Sequence, residues 1–369
     1  MFINNNATIQ FGKHQIGGNN PVFIIAEIGT SHEGDLKKAE ELIIAASEAG
    51  VDCVKFQYVI AKEIIHPDTG NVSLPGGEIP LFERFQKLEK PIDFYSELKQ
   101  ITESNNLTFL CTPFGIESAQ NLKKIGVEGI KIASPELNHY PLIQEVSNLP
   151  VILSTGVSTL GDIEKALVYP ENGAALLHCI TSYPAPEEEY NLNLIPALSG
   201  IFGRPAGVSD HSADPILVPL LSTAMGGSII EKHITLSKKG DGLDDPIAIT
   251  PSELTHMCRE VRKAENMNQK ETLSLLGDKY GERKISRVLG TGIKTLAPAE
   301  ADNYKTTNRS IMAIQNIRKG ELFTKENTAL LRSEKFLTPG LSPENYNIIL
   351  NRKATHNIKS GKGISWDCF

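Results

Sequence analysis

Two histidines each close a short apolar run, His211 in GVSDHS and His233 in SIIEKHITL. Such runs predict β-strands, whose side chains alternate between faces, so Ser209 and His211 share one face while Glu231 and His233 share another. If the two strands are neighbours, two imidazoles and a carboxylate come within reach of one divalent cation. A histidine ending a strand serves just as readily as a hydrogen-bonded structural group. The choice depends on what else faces the same way.

Other chemistry-bearing residues sit at the ends of similar runs. VDCVKFQ puts Lys55 and Gln57 on the face of Cys53, and GIKIAS embeds Lys131 just before Ser134 and Glu136. VFIIAEIG carries Glu27, LTFLCTP ends at Thr112, PVILSTG presents Ser154 and Thr155, and AALLHCITSYP leads into Thr181, Ser182 and Tyr183. Lysines and carboxylates are poorly tolerated on inward faces of a packed core, so a functional mouth explains them better. Competing readings exist for each. The lysines are surface groups if the faces are misjudged, Ser134 and Ser154 can cap the helices that follow, and Tyr183 can be a packing residue. His139 and His178 are read as structural.

These residues need elements to hold them, and the chain supplies a regular beat. DLKKAEELIIAASEAG repeats apolar residues at helical spacing between a capping Asp35 and a terminating Gly50. Further helices are predicted from Asp93 to about Asn105, after Glu117, through PELNHYPLIQEVSN, after Thr159 with Asp162 as a capping box, at 192–199, and at 215–225, where Pro219 is costly unless it falls in the first turn. PSELTHMCREVRKAENM then reads as a closing helix. Eight strand–helix beats argue for a (β/α)8 TIM barrel, because parallel strands need crossover helices and eight close a cylinder. An open doubly wound sheet is the alternative, but no GxGxxG turn follows the first strand. Residues 58–92 interrupt the rhythm as a proline- and glycine-bearing excursion, the kind of long loop that serves as a lid or binding insertion.

Composition excludes several classes. The 369 residues carry a formal charge of −7 with scattered Lys and Arg, so no basic patch points to nucleic acid. Five cysteines without a CxxC pair, three of them in apolar runs, read as buried thiols of a reducing cytosol. The polar N-terminus lacks a signal-peptide pattern, and no apolar run approaches the roughly 20 residues of a membrane span. A cytoplasmic protein is expected.

By residue type, two ammonium groups among hydroxyls suit a small anion carrying phosphate and carboxylate. A divalent cation on two imidazoles suits polarisation of a carbonyl oxygen. Aldolases, phosphatases and phosphoenolpyruvate-dependent synthases all remain open on these grounds.

AEIGTSHEGD, VDCVKFQ, FLCTPF, KIASPELNHYPLI, STG, HCITSYPAP, SDHS and EKHITL, in this order, resemble the N-acetylneuraminate (sialic acid) synthase family, which includes legionaminate and pseudaminate synthases. The resemblance spans nearly the whole chain. It implies condensation of phosphoenolpyruvate with the open-chain aldehyde of N-acetylmannosamine or a related 2-acetamido hexose, giving a nine-carbon 2-keto-3-deoxy sugar acid and phosphate. It makes His211 and His233 ligands of manganese or magnesium. Lys55, Thr112, Lys131, Ser134, Ser154 and Ser209 would bind phosphoenolpyruvate; Glu27, Gln57, Ser182 and Tyr183 lie where substrate is contacted; and Glu136 would handle protons beside the metal.

The C-terminal NRSIMAIQNIRKGELF and following turns resemble the antifreeze-like (SAF) domain that closes such synthases. This implies a barrel over 1–270, a linker over 271–305 and a SAF domain over 306–369, the last reaching over the partner's barrel in a domain-swapped homodimer. Arg309 would contact the acetamido group, although by residue type alone it could be a surface side chain. Two segments depart from the family: Ser31-His32-Glu33-Gly34 replaces NHNG, and Asp241-Gly242-Leu243-Asp244-Asp245 replaces PGPDH, keeping a carboxylate at Asp244 but losing the histidine. Those departures leave open a synthase for a 6-deoxy-diacetamido hexose, and, from another class, a non-catalytic sugar or phosphate binder.

Overall fold

A computed structural model describes residues 7–74, 77–240 and 242–369, so Asp241 of the departing loop lies outside the described residues. Eight strands form one parallel sheet: β1 (Phe23–Gly29), β2 (Cys53–Tyr58), β3 (Thr108–Pro113), β4 (Ile130–Ile132), β5 (Val151–Ser154), β6 (Ala174–Cys179), β7 (Ala206–Asp210) and β8 (Ile229–His233). Their order is β3-β2-β1-β8-β7-β6-β5-β4, and the two end strands lie beside each other, so the sheet curls into a nearly closed barrel. The expected TIM-barrel architecture is therefore present.

Alternation along the strands explains how one inward face can be both core and mouth. Phe23, Ile25, Cys53, Leu110, Ile152, Leu177 and Ile229 point inward at the lower end and pack into one buried cluster. Two residues further along the same faces stand Glu27, Lys55, Thr112, Ser154, Cys179 and Glu231. A hairpin of Thr8–Phe11 and His14–Gly17, not foreseen in the sequence, closes the bottom by inserting Ile9, Phe11 and Ile16 into that cluster. Outward residues such as Ile24, Val54 and Val208 join the larger cluster beneath the helices.

The helices follow the predicted signals closely. Leu36–Ala49 begins at Asp35, whose carboxylate accepts from Lys37 N and Lys38 N, and ends at Gly50 with φ 85°. It buries Ala39, Leu42, Ile43, Ala46 and Ala49, so truncating Leu42 to Ala would cost about 2–5 kcal/mol. Thr159 and Asp162 form their capping box. Pro219 is the third residue of Leu217–Ala224 and so falls in the first turn, where its missing N–H costs nothing. The excursion after β2 contains helices Ala61–Ile64 and Leu81–Leu88 around a hairpin of Asn71–Leu74 and Gly77–Pro80.

The stretch expected to be a linker is better described as part of the barrel. Helices Gln269–Tyr280 and Glu282–Leu289 bury Leu276, Ile285 and Val288 in the main core. Beyond them, Lys294 Nζ donates to Thr155 O at 2.8 Å, and the buried Glu300 carboxylate accepts from Val157 N and Thr181 N at 3.0 and 2.8 Å. This polar segment thus fixes the loops after β5 and β6.

The C-terminal domain pairs β9 (Arg309–Ala313) with β10 (Thr328–Arg332) in antiparallel fashion over its own small core, including Ile311, Phe323, Leu330 and Ile364. In the single chain it sits on its own barrel. Arg332 forms a bridge with Ile65, and Asn138 donates to Arg309 O at 2.9 Å. No helix among the described residues is long and apolar enough to cross a membrane.

Candidate active site

A cavity of about 300 Å³ opens at the C-terminal ends of the strands, as the barrel geometry requires. It gathers Glu27, Lys55, Gln57, Thr112, Lys131, Ser134, Ser154, Tyr183, Ser209, His211, His233 and Asp244 from the expected set.

One end is a buried charge network. Lys55 Nζ lies 3.0 Å from Glu27 Oε2, 3.6 Å from Glu231 Oε2 and 3.4 Å from Thr112 Oγ1. Lys131 Nζ donates to Ser154 Oγ at 2.6 Å and stands 3.8 Å from Glu231 Oε1, which also accepts from Ser209 Oγ at 2.9 Å. Gln57 Nε2 donates to Glu27 Oε1 at 2.8 Å. Ser134 Oγ accepts from Gly156 N at 3.0 Å; a Cβ at Gly156 would lie 2.9 Å from that oxygen and 2.4 Å from Thr181 Oγ1, so a side chain there would displace both hydroxyls.

The two lysines differ in their electrostatics. Burial pushes Lys131 down to about 8, Lys55 reinforcing it against the pull of Glu231. Burial opposes Lys55 too, but Glu231 and Glu27 together override it and raise Lys55 above the ordinary lysine range. Burial alone would raise Glu231, whereas Lys131 and then Lys55 bring it down to about 2. At neutral pH this end therefore holds two ammonium groups and a firmly ionised carboxylate.

The other end carries the imidazoles, whose ring centroids are 5.6 Å apart. His211 is fixed from three sides: its backbone N–H donates to Tyr190 Oη at 2.7 Å, its Nδ1 lies 2.8 Å from Ile180 O, and Tyr183 stacks on its ring at 4.3 Å. With Nδ1–H donating to that carbonyl, Nε2 is the lone-pair nitrogen of the neutral ring, 3.4 Å from Ser209 Oγ, whose hydroxyl is turned to Glu231. His233 Nδ1 is buried without a hydrogen bond and stands 3.6 Å from Asp244 Oδ2. Register is locked behind these faces, where Lys232 Nζ donates to Asp210 Oδ2 and Ser212 O, both at 2.6 Å. The orphaned ring nitrogen of His233 and the tautomer-fixed imidazole of His211 are the groups that would hold a divalent cation. Among the described residues no three His, Cys, Asp or Glu side chains converge on one point, so an ion held by the histidines would keep positions open to substrate.

Three expected residues are placed elsewhere. Ser182 turns its hydroxyl to Pro184 O at 3.2 Å instead of into the cavity. Glu136 is fully buried, and both its carboxylate oxygens are taken, one by Arg309 Nε and the other by Arg332, whose Nε is at 2.9 Å. Burial would raise its carboxyl, but Arg309 and then Arg332 hold it below the usual range, which suits an ionic latch and not a proton donor. Arg309 spends its other donors on the carbonyls of Glu63, Ile64, Phe114 and Leu330 and so does not face the cavity.

The C-terminal residues that do line the cavity are Thr307, Arg332 and Glu334. The excursion adds Phe85 and Leu88 from the helix Leu81–Leu88. That helix is pinned to the loop after β1 by Arg84, whose guanidinium grips Glu33 at 2.9 and 3.1 Å, with Glu33 at φ 49°. Sequence reasoning missed these residues because they come from outside the eight barrel strands, although Glu33 stands inside one of the two departing segments. In the other, Gly242 N donates to Asp245 Oδ2 at 2.9 Å, presenting Leu243 and Asp244 to the cavity.

Comparison with known proteins places this architecture. The NeuB family model matches residues 42–272, and the SAF domain model matches residues 308–369. The spore coat polysaccharide biosynthesis protein SpsE of Bacillus subtilis is 34% identical over 98% of this chain and 97% of its own length; its crystal structure superimposes with a TM-score of 0.83 over 98% of this chain and 99% of that one. The N,N'-diacetyllegionaminic acid synthase of Campylobacter jejuni is 34% identical, covering 92% of this chain and 98% of its own. The N-acetylneuraminic acid synthetase of Leptospira borgpetersenii, crystallised with citrate, is 31% identical with a TM-score of 0.66 over 81% of this chain and 95% of that one. With the barrel, its C-terminal cap and these likenesses in agreement, the chain belongs to the NeuB family of sialic, legionaminic and pseudaminic acid synthases.

Proposed function

We propose that this enzyme condenses phosphoenolpyruvate with the open-chain aldehyde of a neutral 2-acetamido hexose, releasing phosphate and a nine-carbon 2-keto-3-deoxy sugar acid. One observation carries the reading: a single cavity has two buried lysines at one end and two imidazoles at the other. Lys55 and Lys131, with the hydroxyls of Thr112, Ser134, Ser154 and Ser209, hold the phosphate and carboxylate. His211 and His233 would hold manganese or magnesium, which would supply Lewis acidity toward the aldehyde oxygen.

C3 of phosphoenolpyruvate forms the new bond to the aldehyde carbon as the carbonyl π bond breaks, leaving an alkoxide on the former aldehyde oxygen. Positive charge develops at C2, where Glu231, held ionised between the lysines, provides electrostatic support. Water adds at C2, one of its protons passing by way of Glu27, a cavity carboxylate whose Oε2 has no hydrogen bond beyond its ion pair with Lys55, to the new alkoxide oxygen. The C2–O bond to phosphate then breaks and the remaining hydroxyl proton departs with the phosphate, leaving the ketone and hydrogen phosphate. Glu136 is assigned to holding the SAF domain in place.

The test is phosphate release and product mass from phosphoenolpyruvate with a panel of acetamido hexoses, with and without manganese. Release requires both acceptor and metal in this scheme. Undiminished release by chelator-stripped protein, or release without acceptor, overturns it. We also propose that two chains exchange SAF domains in a homodimer, which would preserve each docking contact seen here; a monomeric mass by light scattering at micromolar concentration overturns that part.

A further inference from the structure

The two imidazoles that would hold the cation are not supported alike. His233 is the last residue of β8 and stays in the ladder, where it pairs with Glu27 of β1 and its carbonyl accepts from Ile249 N at 2.8 Å. His211 stands one residue past the end of β7 at Asp210, so the register of neither neighbouring strand reaches it.

Its backbone is held instead by side chains. His211 N donates to Tyr190 Oη at 2.7 Å, and its carbonyl accepts from Ala185 N at 3.0 Å. The turn that follows is tied to Asp210, whose Oδ1 accepts from Ser212 N at 2.8 Å, and to Lys232, whose Nζ donates to Ser212 O at 2.6 Å and Asp214 O at 3.3 Å. Lys232 and Asp210 are joined to each other at 2.6 Å and lie opposite in the β7–β8 register, so the pair grips the chain on both sides of His211.

Burial alone would not put charges there. Ser209, His211, Glu231 and His233 face the cavity, so Asp210 and Lys232 point the other way, into the layer beneath the helices that Val208 and Ile230 help to fill. Both are 1% exposed. An ion pair so deep recovers little beyond its own desolvation cost, and an apolar pair of similar volume is often as stable or more so. Stability is a weak reason for these charges, and their hydrogen bonds to the turn around His211 are a better one.

We infer that Lys232, Asp210 and Tyr190 are positioning residues for His211, holding its ring centroid 5.6 Å from that of His233 and so setting the affinity for a divalent cation. None of the three lines the cavity. The inference rests on the reading of both histidines as the metal site and extends that site to the outer side of the barrel wall.

The test titrates manganese into the metal-stripped full chain and counts the free ion by its electron paramagnetic resonance signal, beside a thermal melt. Asp210→Val combined with Lys232→Met removes both charges and leaves neither unpaired. The melting temperature should hold or rise while manganese affinity falls about 10–100-fold, the usual loss when a group behind a ligand is removed. Tyr190→Phe, which deletes only the hydroxyl facing His211 N, should weaken binding roughly fivefold, the worth of one hydrogen bond. In both variants excess manganese should restore turnover, a rescue that general loosening of the barrel would not allow. His211→Ala is the control. If it loses manganese while the paired variant binds as wild type does, or Tyr190→Phe does so where the paired variant does not fold, the inference falls and the metal reading stands. Weaker binding that comes only with a lower melting temperature, and that excess manganese does not rescue, overturns it too. If the wild type binds no manganese, or His211→Ala binds it undiminished, both readings fall.

Discussion

The two ends of the cavity are built on different principles. The lysine end, proposed to take phosphoenolpyruvate, is made mainly of strand residues on the inward face of the barrel, several of them two positions beyond a core residue, as Lys55 follows Cys53 and Ser154 follows Ile152. The other end, proposed to take the acceptor, comes from insertions and a second domain: Phe85 and Leu88 on the excursion helix, Leu243 and Asp244 after β8, and Arg332 and Glu334 from the SAF domain. Strands held by a shared ladder keep fixed chemistry in register. Loops latched by single ion pairs can be exchanged without disturbing the barrel, which is where a family with several acceptors should vary.

If that division holds, the two ends should fail separately. The largest effect is expected at the latch between them. Glu136→Gln leaves Arg309 and Arg332 buried opposite a neutral amide, and removing one partner of such a buried pair costs about 3–5 kcal/mol. Docking of the SAF domain should weaken, seen as faster proteolysis around residues 290–308 and a lost acceptor dependence, while phosphoenolpyruvate affinity measured by calorimetry stays near wild type. Equal loss of both affinities would show that the ends are one unit.

Next comes the strand end itself. Lys131→Met should lower kcat/KM for phosphoenolpyruvate by about 10²–10³-fold, the usual loss when one aligned donor to developing charge is removed. Thermal stability should change far less, because the substitution also removes a buried ammonium that burial disfavours. A loss confined to acceptor KM would contradict the assignment of this lysine.

The same lysine predicts a pH limb. Its charged form predominates below about 8, so kcat/KM for phosphoenolpyruvate should fall about tenfold per unit above that value. Folding stability should move the other way. Between about 8 and the ordinary value of 10.5 the unfolded chain binds the proton that the folded chain has released, so this group's contribution rises with pH. Lost activity in this window is then titration and not unfolding. Lys131→Arg should abolish the limb, and a limb that persists there belongs to another group.

The strand end was also the legible end. Period-two alternation placed Glu27, Lys55, Lys131, Glu231 and both histidines in one mouth because a strand leaves each side chain only two directions. Residues outside the barrel strands carry no such signal toward the mouth. Nothing in the spacing of Arg84 or Arg332 says that they meet Glu33 or Glu136, since those pairs close over long stretches of chain. The same limit explains Arg309 and Glu136, whose positions in the chain were recognised while their mutual neutralisation was not. It also explains the helices of 269–289, whose burial depends on barrel helices distant in sequence.

The smallest effect is expected from the loop latch, and it is the sharpest test of the division. Glu33 holds Arg84 by two hydrogen bonds from a left-handed backbone that glutamate seldom adopts, so the ion pair must outweigh a backbone cost. Glu33→Gln keeps the reach and removes the charge, and should raise acceptor KM a few-fold, about 1 kcal/mol, by loosening the helix that carries Phe85 and Leu88. Glu33→Asn suits the backbone better but is too short to grip Arg84, so stability should hold or rise while acceptor KM worsens further. KM for phosphoenolpyruvate should be unchanged in both. A shift in that constant instead would mean that the excursion helix shapes the strand end as well, and that the two regions are not independently adjustable.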